Sequence, residues 1–206
     1  MLIFFYMRCF YFLNYLCYNV EKEWMIDMKN QDMKYRLAQA IKEEMKTKPL
    51  DKITVCDIVE VAATTRQSFY RHFQDKYDLV NWYFERLAEK SFKLLGIQYT
   101  LREGLIKKFE FIEQERNFFS QAFLSKDHNS LMHYDYLCIY QFYKDLVEQK
   151  TGNPITEQQT FLLEMYCHGS IQMTVNWVTA KHPKKPEVIV DLLIEAMPNA
   201  LKEILF

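Results

Sequence analysis

Glycine and proline are scarce in this chain, four and five respectively among 206 residues. Few positions can therefore break a helix or shape a tight β-turn, and abundant Leu, Phe, Lys and Glu favour helices over sheets. So little glycine leaves no Gly-rich phosphate loop and no dinucleotide-binding pattern, and no internal repeat occurs. The five cysteines are odd in number and form no Cys-x-x-Cys pair, which points to a reduced, cytoplasmic protein. No Ser-His-Asp set and no paired-acid motif stands out, so nothing argues for an enzyme. Charge excess is missing too. The net charge is −1, and any binding of nucleic acid must come from a local cluster.

What the chain does have is apolar mass. Half of its residues are hydrophobic, enough for a substantial core in one large or two small domains. The first stretch differs from the rest. Leu2 to Val20 is almost wholly apolar and aromatic, interrupted by Arg8, Asn14 and Asn19, and its length approaches that of a membrane span. It has no basic segment ahead of the apolar run and no small-residue cleavage site, so it makes a poor signal peptide. The preferred expectation is that residues 1–27 form an extension upstream of the true start, with Met25, Met28 or Met33 beginning the functional protein. A membrane anchor is the alternative; no membrane partner is expected.

From Asn30 to Lys48 the spacing becomes helical, with Leu37, Ile41 and Met45 four apart and Lys48-Pro49-Leu50 ending the run. Next comes TVCDIVEVAATTRQSFYRHFQDK, from Thr54 to Lys76. Thr54 and Asp57 have the spacing of a capping box ahead of Ile58, Val59 and Ala62. Ala62-Ala63-Thr64 is a turn, and Thr65 caps a second helix. On that helix Phe69 and Phe73 share a face and anchor it to a core. Gln67, Ser68 and Arg71 project from the other side, with Arg66, Tyr70 and His72 at the margins. Such groups suit a DNA major groove: Arg bonds guanine bidentately, Gln bonds adenine, and hydroxyl, phenol and imidazole groups hold phosphates. A solvated amphipathic helix is the bland alternative. Between Asp32 and Lys76 nine cationic residues meet seven acidic ones, so DNA binding there relies on placement rather than bulk charge.

The run from Ile53 to Leu79 resembles the DNA-binding domain of the TetR/AcrR family of bacterial transcription regulators. The likeness lies in Ile53-Thr54, Ile58, Ala62, Thr65-Arg66, Ser68-Phe69-Tyr70-Arg71-His72-Phe73, and Asp75-Lys76 with Leu79. It implies that Thr65, Tyr70 and His72 grip phosphates, that Arg66, Gln67 and Ser68 face bases, and that Lys76 holds a backbone phosphate. Thr54 and Arg71 complete the candidate DNA-binding set. The chain departs from the family at Ala63, where glycine is usual; a left-handed residue there costs Ala about 1 kcal/mol more than Gly.

A fourth helix begins at Asp75 and runs to about Leu95, with Gly96 as its stop. In the family it links the DNA reader to the C-terminal body. Five further helices are expected near Leu101–Gln114, Glu115–Leu124, Ser130–Gln149, Thr156–Ala180 and Pro186–Leu205. Thr156 and Gln159 form another capping box, and Pro198 kinks or restarts the last segment. The expected fold is all-α: a three-helix helix-turn-helix domain over 28–76, then a helical effector-binding and dimerisation domain over 77–206, about nine helices in all.

The C-terminal half resembles the corresponding domains of TetR-like proteins from low-GC Gram-positive bacteria, including the dihydroxyacetone-kinase activator type. The residues are FEFIEQERNFFSQAF, from Phe109 to Phe123, and GSIQMTVNWV, from Gly169 to Val178. This implies a homodimer formed through the last two long helices, with Leu163, Ile171, Val175, Ile189, Leu192 and Ile194 shared between core and partner. Two reading helices on adjacent half-sites then sit about 34–36 Å apart, and a ligand altering that separation releases operator DNA. Phe111, Phe119, Tyr136, Tyr140, Tyr143, Tyr166 and Trp177 are candidates to line a small-molecule effector pocket, although most aromatics of this half read as core. No cofactor is expected. Two alternatives stay open. One is a helical adaptor acting through a protein coactivator without sequence-specific DNA binding. The other is a zinc sensor using His128, His133, Cys138, Cys167 and His168, for which buried structural Cys and partly exposed His are the safer reading.

Overall fold

The computed structural model describes residues 32–92 and 99–206. The expectations for residues 1–27, and the stop at Gly96, lie outside the described residues. Contacts divide the chain into two units, one ending at Glu85 and one running from Arg86 to Phe206.

In the first unit, α1 (Asp32–Glu44) carries Leu37, Ala38 and Ile41 on one face, all fully buried. The helix stops at Glu44 and finishes in turns over Met45–Lys48, short of the expected Lys48. Pro49 biases the residue before it away from helical backbone. A single 3-10 turn over Leu50–Lys52 then buries Leu50. Two short helices follow, α2 (Val55–Val61) and α3 (Arg66–Tyr70), packed in sequence with α1 on α2 and α2 on α3. α4 (Lys76–Phe92) closes the unit with Leu79, Val80, Trp82, Tyr83 and Phe84 buried. The division into units falls inside this helix. The core is aromatic: Phe73 lies 5.9 Å from Phe69 and 5.6 Å from Trp82, and Tyr35 meets Trp82 edge-on at 5.1 Å.

The second unit holds α5 (Leu101–Gln114), α6 (Arg116–Leu124), α7 (Leu131–Thr151), α8 (Glu157–Thr179), α9 (Pro186–Glu195) and α10 (Asn199–Leu205). Capping boxes at Thr100/Glu103 and Thr156/Gln159 start α5 and α8. Gly152, at φ 69°, ends α7 in the left-handed conformation that favours glycine. The last expected helix is two: Pro198 stands immediately ahead of α10, where its missing N–H does no harm. The described residues therefore hold ten helices, and no strand.

α7 packs on α8, α5 on α9, and α10 on both α7 and α8. Their shared core gathers Leu101, Tyr143, Val147, Leu163, Tyr166, Cys167, Met197, Leu201 and Leu205. Polar ties cross it. Lys108 of α5 and Asp135 of α7 form a buried ion pair at 2.8 Å, and the Tyr166 hydroxyl donates to the Leu193 carbonyl at 3.1 Å. At the surface Arg102 grips Asp191 bidentately at 2.7 and 2.9 Å.

Candidate nucleic-acid interface

α2 starts on the capping box read from the sequence. The Thr54 hydroxyl accepts from the Asp57 amide at 3.2 Å, and the Asp57 carboxylate accepts from both the Thr54 amide and the Thr54 hydroxyl at 2.7 Å. Those bonds, the Thr54 hydroxyl first and Lys48 second, hold the Asp57 carboxyl well below the usual carboxylate range. At the other end Thr64 N–H donates to Val59 at 2.9 Å and Ala63 N–H to Glu60 at 3.1 Å. This is the Schellman pair of bonds, with Ala63 at φ 46° in the place glycine usually takes. Two residues later the Thr65 hydroxyl accepts from Ser68 N–H at 3.1 Å and caps α3.

With five residues, α3 is too short to persist on hydrogen bonds alone. Phe69 and Phe73, 0 % and 3 % exposed, pin it from behind. The opposite side is open: Thr65, Arg66, Gln67, Tyr70, Arg71 and His72 are exposed and Ser68 is partly so. Tyr70 is 51 % exposed, its ring edge-on to Phe69 at 5.5 Å. Its hydroxyl is bonded to Arg66, which raises the affinity of that guanidinium for its proton. Thr54 is exposed at the start of α2. One patch thus carries amide, guanidinium, phenol, imidazole and hydroxyl groups on a rigid base.

Much of the positive charge around this patch is committed within the unit. Lys46 pairs with Glu43 at 2.7 Å, and Lys48 with Glu44 and Asp57 at 2.8 and 2.9 Å. Lys34 lies over Phe73 and Trp82. Lys76 is also held from within the unit. Its ammonium donates to the carbonyls of Leu50, Ile53 and Asp51 at 2.8, 2.7 and 3.0 Å, which ties the start of α4 to the turn before α2. Sequence reasoning also missed Arg36, which donates to Ala62 O at 2.6 Å and lies 3.4 Å from Ala63 O. Nothing in a residue's identity announces a carbonyl partner 26 positions away.

Residues 37–81 match the family described as bacterial regulatory proteins, tetR family, and residues 99–199 match a transcriptional regulator C-terminal region. The chain belongs to the TetR family. By their descriptions, the two matched families are regulatory proteins and transcriptional regulators. A TetR-family transcriptional regulator of Streptococcus agalactiae shares its fold, with a TM-score of 0.61, 20 % identity, and coverage of 89 % of this chain and 99 % of that one. The dihydroxyacetone kinase operon activator DhaS gives a TM-score of 0.59 at 17 % identity, covering 83 % of this chain and 97 % of that one. In sequence, this TetR-family chain is 26 % identical over 88 residues to the HTH-type dhaKLM operon transcriptional activator DhaS of Lactococcus lactis, a match spanning 43 % of the chain and 47 % of that relative. The chain thus covers about half of the length of this curated relative.

The aromatic residues suggested for an effector pocket of this TetR-family chain fall into separate places. Tyr143 meets Tyr166 at 5.8 Å, and Tyr136 stacks on both Tyr140 and His168, at 6.1 and 4.1 Å, so α7 and α8 bring the four tyrosines to one region. Trp177 instead packs on Phe109 at 5.1 Å and donates to the Lys184 carbonyl at 2.7 Å. Phe119 packs on Phe118 and Phe123 within α6, and Phe111 is partly buried. Among the described residues no three His, Cys, Asp or Glu side chains converge as a metal site. Cys167 is instead buried in the core and His168 is stacked on Tyr136. Among the described residues no helix is long and apolar enough to cross a membrane.

The apolar residues assigned jointly to core and partner also separate. Leu163, Ile171, Val175 and Ile189 are buried within the unit, Ile194 is partly so, and Leu192 is 46 % exposed. The exposed stripe of α8 is Phe161, Met165 and Met173, joined on α9 by Val188 and Leu192. Phe161, Met165, Gly169 and Met173 recur at intervals of four, a signal legible in the sequence but lost among the other apolar positions of a helix whose polar and apolar residues are mixed around it.

Proposed function

We propose that this regulator is a homodimer that reads duplex operator DNA with the exposed face of α3 and that a molecule or partner bound to the second unit controls its operator affinity. One observation carries the reading: the polar side of α3 stands open to solvent while Phe69 and Phe73 hold its back in the core. Arg66, Gln67, Ser68 and Arg71 are assigned to base edges, and Thr54, Thr65, Tyr70 and His72 to phosphates. Lys76 is assigned to positioning. The reader domain spans 28–76, and α4 carries the chain into the effector and dimerisation domain. The apolar stripe of α8 and α9 supports pairing with a second copy, and the tyrosines between α7 and α8 are the favoured place for an aromatic or apolar effector. Similarity to an operon activator supports activation as the output.

Tyr70→Ala and Arg71→Ala test this reading, since both side chains are exposed and Tyr70 meets the core only through one edge-on contact with Phe69. Each variant should keep the wild-type circular dichroism spectrum and bind duplexes selected by the wild-type protein on the order of 10- to 100-fold more weakly, from the loss of contacts of about 1–3 kcal/mol each. Wild-type affinity in both would remove α3 as the reading element.

A further inference from the structure

We infer that Arg36 holds the turn between α2 and α3 in shape, and so positions the reading helix without touching DNA. Ala63 sits at φ 46°, a conformation that disfavours a residue with a Cβ and persists where its surroundings enforce it. The two Schellman bonds satisfy the carbonyls of Val59 and Glu60, which leaves later carbonyls at the C-terminal end of α2 in need of donors. Arg36 reaches across from α1 and supplies one, donating Nη2 to Ala62 O at 2.6 Å with Ala63 O 3.4 Å away. A guanidinium at this position also faces the negative end of the helix dipole. Thr65, whose hydroxyl caps α3, lies two residues beyond Ala63, so the direction in which the chain leaves the turn sets the direction of α3. Where glycine adopts the left-handed turn unaided, this chain has an alanine held by an arginine.

The effect on DNA rests on the reading of α3 given above; the structural part does not, and the test separates them. Full-length wild type, Arg36→Ala, Ala63→Gly and the double variant are compared by two readouts. The first is hydrogen exchange of the Thr64 amide, the donor of the long Schellman bond. Arg36→Ala should speed this exchange about tenfold, equivalent to about 1.4 kcal/mol, and Ala63→Gly in the same chain should restore it. The second is affinity for duplexes selected from a random-sequence library by the wild-type protein, measured over a range of salt. Arg36→Ala should weaken binding about tenfold with an unchanged salt slope, and the double variant should return to within about twofold of wild type.

Two results overturn the inference. One is a salt slope reduced by about one with no rescue by glycine, which makes Arg36 a phosphate contact. The other is unchanged exchange at Thr64 in Arg36→Ala. If the wild-type protein selects no duplex, the DNA-binding reading fails and the exchange readout alone decides the role of Arg36. Should Arg36→Ala not fold, Arg36→Lys, which keeps the charge and one donor, is expected to give intermediate exchange, and exchange equal to wild type would count against the guanidinium.

Discussion

Lys108 and Asp135 face each other at 2.8 Å with side chains only 9 % and 1 % exposed. Neither charge can turn to water, and the second oxygen of Asp135 is buried with no hydrogen-bond partner among the described residues. Such a pair gains little over an apolar replacement, yet losing one partner strands the other. Lys108→Met is therefore expected to destabilise the protein by about 3–5 kcal/mol in urea unfolding, while Lys108→Met with Asp135→Leu should lie near wild type. A double variant as unstable as the single one would show that the pair contributes more than its charges. Cys167 makes a second prediction at this scale. Burial, with Asp135 adding to it, pushes its thiol up to about 12 from 9.0, and burial takes the Tyr166 hydroxyl from 10.0 to about 12. Both are acids whose neutral form the fold favours. Below pH 9 their contribution is fully present; above it the unfolded thiol ionises while the folded one stays neutral, and stability falls as pH rises towards 12. The slope is at most about 1.4 kcal/mol per pH unit for each such group. Cys167→Ala should flatten the fall between pH 9 and 10, where the thiol contributes more than tyrosine, in unfolding curves taken across that range. A slope there equal to wild type would place the titration elsewhere.

At the scale of elements, caps and periodicity made most of the fold legible. The Thr54/Asp57 and Thr156/Gln159 boxes mark where α2 and α8 begin because a hydroxyl three residues before an acid or amide satisfies free amides locally, with no help from the rest of the chain. Pro198 likewise marks a break wherever it falls. The face of α3 was readable from Phe69 and Phe73 for the same reason. What could not be read were the roles set by partners distant in sequence: Lys76 pointing at three carbonyls, Arg36 capping α2, and Lys108 paired with the Asp135 carboxylate inside the core. A lysine looks the same in sequence whichever acceptor it finds. Gly169 gives a prediction of this kind. It sits mid-helix in α8 on the exposed stripe, and a Cβ built there meets nothing within 4 Å. Within one chain, then, no contact demands glycine, and Gly169→Ala should stabilise α8 by roughly 1 kcal/mol. In the proposed dimer the same methyl enters a helix crossing, so the variant should unfold later yet associate more weakly in sedimentation equilibrium. Dimerisation as tight as wild type would move the crossing away from Gly169.

At the scale of the whole molecule the question is what a second copy adds. One reader unit presents a patch of few cations on a chain whose net charge is −1, and most of the neighbouring lysines are committed internally. Its affinity for a single half-site is therefore expected to be modest, since sequence-independent binding scales with the phosphates neutralised. Joining two such units makes the second contact intramolecular, and avidity then exceeds that of either unit by on the order of 10²–10⁴. The exposed stripe that would join them includes Phe161 and Met165, each 61 % exposed, so charge placed there leaves the core of one chain intact. Phe161→Glu with Met165→Glu should accordingly give a monomer by sedimentation with an unchanged circular dichroism spectrum. Its affinity for a two-half-site operator should fall by on the order of 10²–10⁴, while its affinity for a single half-site duplex stays at the wild-type value. That second comparison matters more than the first. A loss on both duplexes would mean that the substitutions had reached the reader through the fold, whereas a loss confined to the paired site isolates dimerisation as the source of operator affinity.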